Sequence, residues 1–284
     1  MVHVDAMIYY TQDFKSIVTD PIVYIEELIK ESNHVFENSE VAMKLRLHCV
    51  EEVEMRETPT DDRNEEFLIA KCNATKEDEL SLCTVSMLNS ADIAIVMTAT
   101  TIYSQSGTLI GGQAAIGPAP TMRQPPLAWV AAGIQQVFPL WRVTQADFVE
   151  LFVHEVAHLF GCLHDRAEEG GGSVNETSYG YIVEGKYRTT MVHSTSNEAW
   201  IPYFSSKDIS YDGIPIGDAE SDNSRTLREN RFLMSMIGDQ TGNCSTNIMS
   251  CAGRCLRGNS APANLTLRDR EIWCRSNCEG RSSG

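Results

Sequence analysis

Apolar positions in the first part of the chain recur with two different periods. Val4 to Thr11 is a nearly unbroken apolar run and predicts a strand. Asp20 followed by Pro21 is an N-cap and first-turn pair, and behind it Ile22, Ile25, Leu28, Ile29 and Phe36 repeat at helical spacing. The period then drops to two. Val41, Met43, Leu45, Leu47 and Cys49 fall on one face while Lys44, Arg46 and His48 fall on the other, as in a half-buried strand. Strand, helix and strand in this order predict a right-handed crossover between parallel strands.

Further along, Glu57 to Glu79 is polar and acidic and reads as a surface excursion. Asp92 to Met97 reads as a strand buried on both faces. The Gly-rich, apolar stretch from Gly107 to Gly117 reads as an edge strand, with a simple turn as its alternative. Thr144 is placed to cap a helix that points Phe148, Leu151, Phe152, Val156, Leu159 and Phe160 inward, and Gly161 to end it. Regular patterns are sparse from there to residue 240, and no internal repeat is found.

Composition narrows the classes. A chain of 284 residues, 42% of them hydrophobic, can bury a large core, so disorder does not describe the whole. Lys and Arg total 23 against 39 Asp and Glu; the formal charge of −16 repels nucleic-acid phosphate and argues against a nucleic-acid partner. The longest apolar stretch, Pro126 to Phe138, is interrupted by Gly133, Gln135 and Gln136, so no membrane span is expected. Five of the nine cysteines lie in the last 41 residues, which favours an oxidising compartment, and sequons at Asn73, Asn175, Asn243 and Asn264 fit a secreted glycoprotein. The N-terminus carries no signal-peptide pattern, so that localisation rests on cysteines and sequons alone.

The chemistry is concentrated in His154-Glu155-Val156-Ala157-His158-Leu159-Phe160-Gly161-Cys162-Leu163-His164-Asp165. On a helix His154 and His158 stand one turn apart on one face, and a glycine at 161 lets the chain turn sharply and bring His164 to the same point. Three neutral imidazoles would hold one Zn2+ with a fourth position open to water, and Glu155 beside the first ligand would serve as general base. A lone histidine on an apolar helix face is usually a packed core residue; three at these spacings are not lone.

This segment resembles the long zinc signature of the metzincin metallopeptidases, and Asp165 after the third histidine is similar to their adamalysin (reprolysin) type. Met191, 27 residues beyond His164, matches the methionine turn beneath the metal in that clan. Tyr187 to Met191 followed by Ile201-Pro202-Tyr203-Phe204-Ser205 resembles in particular the peptidyl-Asp metallopeptidases, and the likeness in element order runs over residues 1 to 240. The resemblance implies an α/β (α+β) metzincin-type catalytic domain: a twisted, mostly parallel sheet, an antiparallel edge strand and an active-site helix. It implies a zinc endopeptidase acting on extended polypeptide. Substrate would lie along the edge strand at Gly111 and Gly112, and Ile201, Pro202, Tyr203 and Phe204 would wall the pocket after the scissile bond.

Met191 is expected to pack beneath the imidazoles, because a thioether is a poor zinc ligand. Asp165 is expected to fix the turn after His164. Where the resembling peptidases carry a Tyr two residues after the methionine, this chain has His193, either a hydrogen-bond donor to the transition state or a plain loop residue. If the pocket accepted an acidic residue, Lys186 and Arg188 would be the nearest cations; its apolar walls favour a hydrophobic one. Calcium is compatible with such a protein, but no residue pattern here supports it, and nothing specifies an oligomeric state.

Residues 241–284 read as a separate Cys-rich module. Cys251 and Cys255, like Cys274 and Cys278, are four apart, which suits a helical hairpin stapled Cys251 to Cys278 and Cys255 to Cys274, although other pairings are open. A four-cysteine zinc site is the rival, but it usually uses CxxC knuckles. Cys72 and Cys83 are candidates to close the acidic excursion, Cys49 and Cys162 read as buried thiols, and Cys244 is unassigned. The competing function is a catalytically weak, secreted, protease-like binding module acting through the hairpin. Glu155 argues against it, since binding needs the metal ligands at most and never the base.

Overall fold

The computed structural model describes residues 1–53, 91–99, 102–103, 109–114, 116–117, 127–131, 145–166, 177–192 and 198–237. The acidic excursion, the predicted cap Thr144, His193 and the whole module from 241 lie outside these residues. So do all the cysteines except Cys49 and Cys162, both of which are buried.

The expected crossover is present. Strand β1 (Val2–Thr11) leads through a short helix α1 (Gln12–Ile17) and helix α2 (Pro21–Asn38) to β2 (Met43–Val53), which pairs parallel with β1. Asp20 caps α2, its carboxylate accepting from the Ile22 and Val23 amides at 3.0 and 3.2 Å. Six residues are too few to show a period, so the sequence pattern gives no sign of α1; Thr11 starts it by accepting from the Phe14 amide at 3.0 Å. Strands β3 (Ile93–Thr98), β4 (Ile102–Tyr103), β5 (Leu109–Ile110), β6 (Gly112–Ala114) and β7 (Leu127–Ala131) follow. Among the described residues five strands make one sheet in the order β2-β1-β3-β7-β6, parallel except for β6, which is antiparallel to β7 and outermost. The glycine-rich stretch therefore supplies an antiparallel edge strand.

One register expectation fails. A bulge opposite Ala6 and Met7 skips His48, since Ala6 pairs with Leu47 and Met7 with Cys49. The alternation flips there: His48 is buried, and Leu47 and then Val50 pack against the main core.

Helix α3 (Gln145–Leu159) packs with α2 on one face of the sheet. The core joins Val4, Ile8 and Tyr10 of β1 and Ile93, Ile95 and Met97 of β3 to Leu28 and Phe36 of α2 and Phe148, Phe152 and Val156 of α3. The remaining elements form a smaller lobe: β8 (Ile182–Val183), β9 (Tyr187–Arg188) and β10 (Ala199–Trp200) in one sheet, then the hairpin of β11 (Ser210–Tyr211) and β12 (Ile214–Pro215). Helix α4 (Asn223–Met234) closes the described chain. The lobe has its own cluster around Tyr187, Ile201 and Ile216. Among the described residues, no helix is long and apolar enough to cross a membrane.

Candidate metal centre

Helix α3 directs its apolar residues into the core, so His154 and His158, one turn apart, emerge together at the boundary between the main body and the smaller lobe. The helix stops directly after them. Gly161 has φ 93°, a left-handed value that a residue with a side chain adopts only with strain, and its amide donates to the His158 carbonyl at 2.9 Å. The chain then runs beside 178–180: Leu163 N donates to Ser178 O at 2.7 Å and Gly180 N to His164 O at 3.0 Å. This returns His164 to the two helical histidines.

The three Nε2 atoms form an equilateral triangle 3.1 Å on each side. A tetrahedral zinc with bonds of roughly 2.0–2.1 Å separates its ligand nitrogens by about 3.3–3.4 Å, so the triangle has the size of such a site. Tautomers agree with it. His154 Nδ1 lies 3.0 Å from the Thr190 carbonyl and His158 Nδ1 lies 2.7 Å from that of Cys162. A carbonyl only accepts, so both Nδ1 atoms carry the proton and both Nε2 atoms present lone pairs. Burial, helped by the neighbouring His164, lowers the pKa of His158 to about 3 and keeps it neutral. Lone pairs facing one another at 3.1 Å repel unless a cation is shared. Among the described residues these three histidines are the one group arranged to hold a metal ion.

Glu155 supports the same conclusion from the other side. It is only 4% exposed, its Oε2 has no hydrogen-bond partner, and burial pushes its pKa up to about 8. A buried carboxylate with an unpartnered oxygen is costly, and a dication nearby would offset that cost. Strand β6 presses against it: a Cβ on Gly112 would sit 2.7 Å from both Cγ and Oε1 of Glu155. Gly112 thus lets the edge strand approach the helix, while Gly111 precedes it half-buried. The donor set and the unpartnered Glu155 Oε2 together fit zinc.

Met191 is fully buried within the main core and Asp165 is half-buried next to the third histidine. The segment 201–204 divides. Phe204 is fully buried and stacks on Phe36 at 5.6 Å, and its amide donates to Ser39 Oγ at 2.8 Å. Ile201 sits in the core of the smaller lobe. Pro202 and Tyr203 stay half-exposed, with the Pro202 carbonyl held by Asn38 Nδ2 at 3.1 Å. Only these two of the four keep surface exposed.

Lys186 is exposed, but Arg188 is not the loop cation that its position suggests. It is 7% exposed, and its Nη1 and Nη2 grip both carboxylate oxygens of Glu150 on α3. Sequence reasoning also missed Thr190 and Cys162, whose carbonyls orient two ligands. Backbone acceptors leave no mark in a sequence. Glu150 did leave one, as an acid four residues before His154 on a helix whose other inward positions are apolar.

Comparison with known proteins places this geometry in context. Residues 2–205 match the model of metallo-peptidase family M12. A peptidyl-Asp metalloendopeptidase of Xanthomonas campestris pv. campestris is 36% identical over 78 residues, 27% of this chain and 19% of that protein. One from Stenotrophomonas maltophilia is 35% identical over 82 residues, 27% of this chain and 20% of that protein. The match therefore spans about a fifth of these relatives. A solved structure of a chaperone-substrate complex superposes with a TM-score of 0.58 at 18% identity, covering 83% of this chain and 35% of the other, which is a likeness of fold.

Proposed function

This chain belongs to metallo-peptidase family M12, and we propose that it is a zinc-dependent endopeptidase that hydrolyses peptide bonds in extended polypeptides, with Glu155 as its base. One observation carries the reading: Glu155, buried with its Oε2 unpartnered, follows directly in the helix on the first of three imidazoles that converge on one point. A protein that only bound metal would gain nothing from keeping that carboxylate out of water.

His154, His158 and His164 would hold the ion, which when bound supplies a Lewis acid that acidifies a water and polarises the carbonyl under attack. Glu155 Oε2 accepts the proton of the attacking water and delivers it to the nitrogen of the departing amine. Thr190 and Cys162 keep the protons of two imidazoles on Nδ1, so that both Nε2 atoms stay available. Among the described residues β6 is the last strand of the sheet, and an extended substrate would add beside it as a further strand, close to Glu155.

The matched relatives are named for aspartate. In this chain Glu150 already neutralises Arg188, and Pro202 and Tyr203 offer a largely apolar surface, so the reading favours a hydrophobic residue after the cut. The test is a peptide library incubated with the zinc-loaded protein and the cuts mapped. Cleavage that stops with a chelator and resumes with zinc is expected, and no cleavage at any peptide from fully loaded protein would refute the proposal. A strong preference for Asp after the cut would overturn the subsite assignment alone.

The crowding of Gly112 against Glu155 yields a separate expectation. Gly112→Ala forces the carboxylate aside, and a displacement on the order of 1 Å costs on the order of 10²-fold in turnover. Zinc content should stay unchanged, because no ligand is touched. Kinetics with metal analysis check this; an Ala variant with wild-type kcat/KM would show that Glu155 is not where the chemistry needs it.

A further inference from the structure

We propose that the buried Glu150–Arg188 pair is a positioning device that holds the Thr190 carbonyl against His154, and so sets the tautomer and direction of the first metal ligand. The inference rests on the zinc-peptidase reading only for its consequence in catalysis; the hydrogen bonds it concerns lie within the chain itself.

Glu150 lies one turn before His154 on α3, so both side chains leave the same face of the helix. Arg188 approaches from β9. Its Nη2 donates to Glu150 Oε2 at 3.0 Å, while Nη1 reaches Glu150 Oε1 and also donates to the Val192 carbonyl at 3.3 Å. One guanidinium therefore closes the chain from 188 to 192 on itself and fastens that loop to the helix. Thr190 stands midway in the closed segment. Its amide donates to Tyr203 O at 2.9 Å, its hydroxyl donates to the same carbonyl at 3.0 Å, and its own carbonyl receives the His154 proton at 3.0 Å. The helix thus touches this loop twice, at points four residues apart on the helix and two apart on the loop: through Glu150 to Arg188 and through His154 to Thr190.

Both charged residues are nearly inaccessible, at 8% and 7%, so solvent does not loosen the pair. Burial pushes the Glu150 carboxyl up, and the hydrogen bonds and charge of Arg188 act against that, so the carboxylate depends on the guanidinium to stay charged. A planar fork with two donors on two acceptors fixes direction as well as distance, which an ammonium cannot do. Arg188 Nε has no partner, so the orientation of the guanidinium is set by Glu150 and Val192 alone. An ion pair kept only for stability would be replaceable by packed apolar side chains at little cost. What apolar side chains cannot replace is the bond to Val192 O that shapes the loop beneath His154.

Two variants test this in the full chain: Glu150→Leu with Arg188→Met, which keeps volume and removes the clamp without stranding a charge, and Arg188→Lys, which keeps the charge and removes the fork. Imidazole nitrogen NMR on the metal-free protein reads the His154 tautomer, chelator competition reads zinc affinity, and peptide kinetics separate kcat from KM. The expected result is a folded double variant in which the fixed Nδ1 proton of His154 is lost, zinc binds roughly 10–100-fold more weakly, and kcat falls with KM little changed. Arg188→Lys should move the same quantities less. A folded double variant with the His154 tautomer and zinc affinity of the original overturns the proposal. Should it not fold, an unchanged tautomer and affinity in Arg188→Lys overturns it instead. Failure of the original chain to bind zinc or cut peptides refutes the enzymatic reading, and the metal-free tautomer still decides the clamp.

Discussion

Glu155→Gln is expected to bind zinc as the original chain does and to lose peptide hydrolysis by roughly 10²–10⁴-fold, the range that a positioned general base supplies. The amide has the shape of the carboxyl, so the packing of β6 over residue 155 persists, and none of the three imidazoles is disturbed. What disappears is the acceptor for the water's proton. Folding stability should hardly fall, because the carboxyl oxygen Oε2 makes no hydrogen bond that could be lost and its burial is already unfavourable. Metal analysis beside kcat/KM on one peptide separates the roles. Near-normal turnover would remove Glu155 from the mechanism, and loss of zinc would make it part of the metal-holding set.

How far the chain could be read in advance depended on whether the determining interactions were local. The cap at Asp20 and the periods of α2 and β2 involve neighbours within a few residues, and the crossover follows from them. The histidine triad was legible for the same reason: two ligands share one helix and the third lies six residues on, past a glycine whose positive φ the turn requires. The bulge at His48 was not legible, because it arises from pairing with Ala6 and Met7 more than forty residues away. Arg188 illustrates the same limit. In sequence it is a cation in a polar loop; its burial comes from an acid 38 residues earlier on another element. In sequence the segment 201–204 is four apolar residues suited to a pocket wall, whereas in the fold Phe36 and Ser39 turn Phe204 into the core.

Removing a ligand tests the centre more directly than removing the base. His158→Ala should lose both zinc and hydrolysis, and it should do so more completely than any change outside the triad. His158 is the most enclosed of the three, 6% exposed, and its Nε2 is 3.1 Å from both others. If three ligands share an apparent binding free energy of roughly 10–16 kcal/mol, deleting one costs about 3–5 kcal/mol, or roughly 10²–10⁴-fold in affinity. The same substitution removes the bond from Nδ1 to the Cys162 carbonyl that ties the end of α3 to the turn leading to His164. The third ligand is therefore loosened along with the second, and the loss should exceed that of His154→Ala, whose Nδ1 partner, Thr190, has Tyr203 and Trp200 to hold it in place. Chelator competition and thermal melts with and without added zinc measure both parts. Melting of the original chain should rise on adding zinc, because the ion binds only the folded triad, and that of His158→Ala should not; a variant that still gained stability from zinc would place the metal somewhere other than these three imidazoles.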